Sequence, residues 1–355
     1  MPTKKPDTSS GFDPPMPSGK AILSPSIAAV RLDGALERSV LSSQVHQVLL
    51  GMARIRNAVS SFRLEGERVE LDRARQVLET QKPESEAERG VLQLARAYRQ
   101  VAEGKLPEFS VKGVQAAHRL IFQGVLEDQL VGSLKTEDNA ITDISGSIVK
   151  FEPTPSTRTR QELESLFAWL RGVEDLHLPP VVAAIFFAEF EAIHPFPDGN
   201  GRVGRYLNVA LLKRLGLKQS PLVPLDTRFF RTSERYYEYL ATTNSGKDYL
   251  PWTRYYVGEL EKAYEAANRR GDLRHTLAQF SRPSTRAVLT WVLQGSGAWF
   301  QRHDYPNPRR YSGPALWGAF QELAKAGVLE ARGEAKGREY RLKSSFLADI
   351  YGPIA

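Results

Sequence analysis

The chain of 355 residues contains no cysteine. That absence excludes a disulfide framework and any thiolate-bound metal, and it suits a reducing compartment. No apolar run approaches the length of a membrane span, and the first residues lack the charged-then-apolar pattern of a secretory leader. A cytoplasmic protein without membrane contact is therefore expected. No repeat at solenoid spacing is present. Histidine is scarce, with six in all. At 41% hydrophobic residues, a chain of this length can bury more than one core, so two or three domains are expected.

One stretch carries most of the chemistry. Residues 194–205 read His-Pro-Phe-Pro-Asp-Gly-Asn-Gly-Arg-Val-Gly-Arg. They place a base (His194) and a possible metal ligand (Asp198) ahead of a Gly199-Asn200-Gly201 turn. Such a turn can point successive N–H groups into one concavity, an anion nest. The residues that follow read as a buried helix, so the nest would cap a helix N-terminus, where phosphate is favoured. Arg202 and Arg205, three apart on that helix, offer two forks for phosphate oxygens. Pro195 and Pro197 limit backbone freedom between base and nest. The set points to phosphate-ester chemistry. A zinc site from His194 and Asp198 is disfavoured, because the prolines prevent helical pairing of ligands. The other histidines, His118 among them, read as loop or packing residues.

These residues resemble the signature of the Fic family (filamentation induced by cAMP), His-x-Phe-x-(Asp/Glu)-Gly-Asn-Gly-Arg-x-x-Arg, and match it at every fixed position. The resemblance implies a protein adenylyltransferase that moves AMP from ATP to a Ser, Thr or Tyr hydroxyl of a target protein. It implies His194 as general base, a role an imidazole titrating near neutrality can fill. It implies Asp198 as the Mg2+ ligand, a carboxylate being suited to that ion. Gly199, Asn200 and Gly201 would cradle the α- and β-phosphates, with the Asn200 side chain on the α-phosphate. Arg202 would take the β-phosphate, Arg205 the γ-phosphate, and Phe196 would anchor the loop. Removal of AMP, or transfer of another phosphate-containing group from the same site, stays open. So does a DNA-binding regulator that uses the core as a nucleotide sensor.

Upstream, Ser61-Phe-Arg-Leu-Glu65-Gly66 fits the family's inhibitory pattern, (Ser/Thr)-x-x-x-Glu-(Gly/Asn). The resemblance implies that the Glu65 carboxylate pairs with Arg205 in place of the γ-phosphate. Residues 140–152 read as a hairpin turning at Ser145-Gly146; in the family such a flap receives the target segment by strand addition. Gly132-Ser-Leu-Lys135-Thr-Glu-Asp-Asn139 resembles a further family stretch, with lysine where arginine is usual, and no nucleotide contact is assigned there.

The expected fold is mostly α: a helical Fic core with a β-hairpin flap, a helical N-terminal region, and a C-terminal winged helix-turn-helix. The expected divisions are a disordered tail rich in Pro, Ser, Gly and Lys at 1–20, a helical region with the inhibitory motif at 21–109, the catalytic core at 110–275, and the winged-helix-like segment at 276–355. Apolar residues at three-to-four spacing mark helices from Ser43 and Glu86. In the last segment, a helix around Arg286 and another from Ser312 to Gly327, with Leu316, Phe320 and Leu323 on one face, precede two alternating strands, Val328–Arg332 and Arg338–Leu342. Residues 276–355 hold eleven Lys/Arg against six Asp/Glu, so +5 of the formal +7 lies there. DNA binding through Arg309, Arg310, Lys336 and Arg338 and protein docking both stay open. Self-modification and a homodimer are also compatible with the resemblance.

Overall fold

The computed structural model describes the chain apart from residues 1–2, 5–10, 40–42, 143–148, 247, 272–278, 295–298, 335–336 and 344–355. It is mostly helical. After a two-residue strand, β1 (Thr3–Lys4), come α1 (Lys20–Ser39), α2 (Ser43–Leu64), α3 (Leu71–Thr80), α4 (Glu86–Ala102) and α5 (Val111–Phe122). Strands β2 (Ile141–Thr142) and β3 (Val149–Glu152) lead into α6 (Thr159–Val173), α7 (Pro179–Ile193) and α8 (Asn200–Arg214). Next are α9 (Leu225–Arg231), α10 (Ser233–Gly246) and α11 (Leu250–Gly271). None of the described helices is long and apolar enough to cross a membrane.

The centre is α7. Two prolines open it, pre-set for a first helical turn, and its residues 180–193 are all buried, Glu189 and Glu191 included. A helix apolar on every side has to be wrapped by others, and α6, α8, α10, α11 and α1 pack around it. Trp252 of α11 donates from its indole N–H to the Ala184 carbonyl (2.8 Å) and stacks on Phe187 with ring centroids 5.6 Å apart. The amphipathic α4 starts at Ser85, whose hydroxyl accepts from the Glu88 N–H, a side-chain cap. α2 lies across α4, α8 and α9, which brings its C-terminal turn to the start of α8.

The expected tail at 1–20 needs correction in its described parts. Phe12 is buried, its ring edge-on to Trp169 (5.3 Å) and Tyr249 (6.1 Å), and β1 pairs in parallel with β3, Thr3 beside Phe151. One aromatic anchor overrides a composition that otherwise favours disorder. The flap appears as β2 and β3, antiparallel, with Ile141 opposite Phe151; its turn at Ser145-Gly146 lies outside the described residues.

The C-terminal elements follow the expected order. α12 (Pro283–Gln294), β4 (Phe300–Gln301), α13 (Gly313–Lys325), β5 (Leu329–Arg332) and β6 (Glu339–Leu342) form two helices and an antiparallel sheet ordered β4-β6-β5. Ser312 caps α13 and Gly327 follows it at φ 72°. Phe320, Leu323, Tyr340 and Leu342 are buried together, whereas Leu316 is only half-buried. Strand β4 had no signal in the sequence reading. α12 also packs on α2.

Candidate active site

Residues 194–199 form the loop between α7 and α8, and every predicted residue of the signature meets there. His194 ends α7 in a left-handed conformation, φ 50° and ψ 62°. Residues other than glycine seldom adopt it, and such strain concentrates at functional sites. The loop is held from three sides. The Lys135 ammonium donates to the Asn139 side-chain oxygen (2.8 Å) and the Ile193 carbonyl (3.1 Å), while its backbone N–H donates to the Pro195 carbonyl (2.9 Å). The Asn139 amide donates to the Phe196 carbonyl (3.0 Å). The buried His118 ring lies against Phe122 and Phe196, with centroids 4.7 and 4.1 Å away. Its Nδ1 accepts from the Gly132 N–H (2.9 Å), which leaves Nε2 protonated to donate to the Asp198 carbonyl (3.1 Å).

His194 is a neutral imidazole. Its Nδ1 lies 3.3 Å from the Glu191 carbonyl; a carbonyl only accepts, so Nδ1 carries the proton and Nε2 keeps its lone pair. Burial, then the nearby Lys135 charge, lowers the imidazole pKa to about 4. At neutral pH the ring is therefore uncharged, with a free lone pair on Nε2, the form a base requires.

Gly199 supplies the turn at φ 82°, and a Cβ there would stand 2.4 Å from the Phe122 ring, so only glycine fits. α8 begins directly after it. The first N–H groups of α8 have no carbonyl of their own helix to bond, the arrangement that lets a helix N-terminus accept an anion. Asn200 departs from expectation. Its side-chain oxygen accepts from the Phe196 N–H and its amide donates to the Phe196 carbonyl, both at 2.8 Å. Here the Asn200 side chain ties the loop shut.

The two arginines differ. Arg202 is sandwiched between the Phe62 and Phe122 rings (5.0 and 4.7 Å) and donates to Asp198 Oδ1 (2.9 Å). Arg205 is fully buried. Its Nε donates to Ser61 Oγ (2.7 Å), Nη2 to the Ser61 carbonyl (3.0 Å) and to Glu65 Oε1 (2.5 Å), and Nη1 to the Tyr236 hydroxyl (3.2 Å). Thus Ser61 and Glu65, singled out 130 residues and more upstream, both reach Arg205. Gly66, at φ 85°, lets the chain turn away after the last helical turn, as glycine commonly does. The Glu65 carboxylate also lies over the turn: a Cβ on Gly201 would stand 2.3 Å from Oε1. Burial pushes the Glu65 carboxyl up, but Arg205 and Arg202 together outweigh it and hold it below the usual range. It is a carboxylate at neutral pH.

Asp198 is half exposed and bonded to Arg202 through one oxygen. No group of three or more His, Cys, Asp or Glu that could hold a metal occurs among the described residues. A divalent ion bound at Asp198 would need phosphate oxygens to complete its shell. His118, Lys135 and Asn139 are structural supports of the loop that the sequence alone left without a role. The one available signal was the Gly-x-x-Lys-x-x-x-Asn stretch.

The loop lies in the part of the chain that resembles known proteins. The profile of the Fic/DOC family matches residues 108–212. A probable protein adenylyltransferase of Aquifex aeolicus is 36% identical over 97 residues, 27% of this chain and 28% of that protein. The protein adenylyltransferase fic-1 of Caenorhabditis elegans is 30% identical over 117 residues, 33% of this chain and 22% of that protein. The chain therefore aligns with about a quarter of the length of these relatives. A crystal structure of a Fic family protein from Desulfovibrio desulfuricans G20 superposes with a TM-score of 0.64 at 20% identity, covering 94% of this chain and 99% of that one, a likeness of fold.

Proposed function

Because the chain carries a Fic/DOC-family domain at residues 108–212, we propose that it is a protein adenylyltransferase restrained by its own Glu65. The observation that carries the reading is a neutral His194 at the edge of a helix-terminal anion seat, with Arg205 buried behind it. In the reaction, a Ser, Thr or Tyr hydroxyl of the target attacks the α-phosphorus of ATP and gives its proton to His194 Nε2. The bond from the α-phosphorus to the bridging oxygen breaks, and pyrophosphate leaves. The N–H groups of Gly201 and Arg202 face the phosphates, and Arg202 and Arg205 neutralise them. Asp198 would hold Mg2+ jointly with phosphate oxygens, and the ion would offset charge on the departing pyrophosphate.

Glu65 supports the restraint. A γ-phosphate seated on Arg205 would have to displace this carboxylate, because Arg205 already gives its N–H groups to Ser61, Glu65 and Tyr236 and the two anions would repel each other. A glutamate half-open to solvent beside the phosphate seat also suits activation of water, so removal of AMP is the second reading.

The segment 276–355 reads better as a protein-docking module than as a DNA reader. At the centre of α13 the exposed residue is Trp317, 55% accessible. The hairpin arginines Arg332 and Arg341 are taken by Glu339 and Glu330 (both 2.7 Å) and lie over the Trp299 ring.

The test is incubation with ATP labelled at the α-phosphate, with and without magnesium, reading label on the chain itself or on proteins of a lysate. Label is expected to rise tenfold or more, about 1.4 kcal/mol of restraint relieved, in Glu65→Gly, and to vanish in Glu65→Gly with His194→Ala. Equal labelling of the unaltered chain and Glu65→Gly would remove the restraint; no α-label in either would remove AMP transfer.

A further inference from the structure

α7 brings a second carboxylate to Arg205. Glu191 stands three residues before His194, is 7% exposed, and its Oε1 has no hydrogen-bond partner. It presses on α8 one residue short of Arg205: a Cβ on Gly204 would lie 2.2 Å from Oε1, so glycine at 204 makes room for the carboxyl group. The charged and titratable groups that face it are Arg205 from α8, Glu65 from α2, and Tyr236 and Tyr237 from α10. All of Arg205's hydrogen bonds go to Ser61, Glu65 and Tyr236. Glu191 receives none. Burial therefore drives its carboxyl up to about 8, Arg205 offsetting only part and the Glu65 charge adding to the rise.

We propose that Glu191 is a positioning residue that acts through Arg205: it is the alternate counter-ion the guanidinium takes when Glu65 leaves, and its proton decides how freely Arg205 can bind a terminal phosphate. The inference rests on the reading that this pocket takes ATP. The logic is one countercharge at a time. With Glu65 seated, Arg205 is neutralised and Glu191 keeps its proton. With Glu65 gone and no nucleotide bound, Glu191 gives up its proton to the solvent, so that no lone cation is left in a dry pocket. When the γ-phosphate arrives, a second anion beside it is unfavourable, and Glu191 takes a proton back. Binding of ATP to the released pocket is thus coupled to uptake of a proton.

Calorimetry with ATP and with ADP, on the full chain carrying Glu65→Gly, tests this from about pH 7.5 to about pH 9, in buffers of differing ionisation heat. ATP affinity is expected to fall up to about tenfold per pH unit, with close to one proton taken up per ATP. ADP, which lacks the terminal phosphate, is expected to show neither. In Glu65→Gly with Glu191→Gln, both effects are expected to disappear while ATP still binds. Identical pH profiles with and without Glu191→Gln would overturn the proposal and leave ATP binding intact. If the glutamine variant fails to fold, the Glu65→Gly chain alone decides: ATP binding without proton uptake at about pH 8 overturns it. No ATP binding in any chain would sink the nucleotide reading and the inference with it.

Discussion

Arg205 stands in the field of three carboxyl groups, and each answers according to whether it is bonded to the guanidinium. Glu65 is bonded and titrates low. Glu191 and Asp226 are not, and burial raises them to about 8 and about 6. Asp226 accepts the Tyr98 hydroxyl (2.6 Å) on Oδ2 and leaves Oδ1 buried without a partner. Because its folded pKa exceeds the value of 3.8 expected when unfolded, the folded chain holds this proton longer. The associated stability is full below about pH 4 and is lost as pH rises through about 6. Asp226→Asn keeps an oxygen for Tyr98 and removes the charge. It is expected to raise stability at pH 7 by about 1–3 kcal/mol, with most of the gain gone at pH 4, as read from urea midpoints. A loss at pH 7 would mean that attraction between Asp226 and Arg205 outweighs the burial penalty.

At the scale of elements, the last turn of α2 plugs the start of α8 with two separable contacts. Ser61 donates nothing to Arg205; its hydroxyl and its carbonyl both accept. Ser61→Ala deletes one bond to a charged group, about 1.5–3 kcal/mol, and leaves Glu65 and the carbonyl in place. Self-labelling from α-labelled ATP is therefore expected to lie between the unaltered chain and Glu65→Gly. Labelling equal to Glu65→Gly would mean that Ser61, not the glutamate, seats the turn. This pairing was legible in the sequence, as was the loop, because both are short motifs whose residue types state their chemistry. The supports were not. His118 reaches Asp198 across 80 residues and Lys135 reaches Ile193 across 58, and no local pattern records such contacts. Glu191 was hidden differently: α7 is buried all round, so periodicity gives no face on which to place it. Asn200 was assigned a ligand that its own bonds to Phe196 now occupy.

Over the whole molecule, net charge and its placement pull apart. The order of helices and strands in 276–355 was legible because caps, breakers and alternation are local signals, but what its surface presents depends on which charges cancel after folding. Of the +5 there, Arg332 and Arg341 are bound to glutamates, while Arg309, Arg310 and Arg338 stay exposed. A few free cations give weak, sequence-independent attraction to a polyanion, and log affinity then falls with log salt at a slope near 0.9 per phosphate contacted. Binding to a short duplex is expected at low salt only, with a slope of about −2 to −3 and no retention near 150 mM. Fluorescence anisotropy across a salt series measures this directly. A slope of −6 or steeper, with retention near 150 mM, would require more phosphate contacts than these three exposed arginines supply. Other exposed cations of the segment, Arg282, Arg302 and Lys325 among them, would then have to join the contact, and the docking role given to Trp317 would fall.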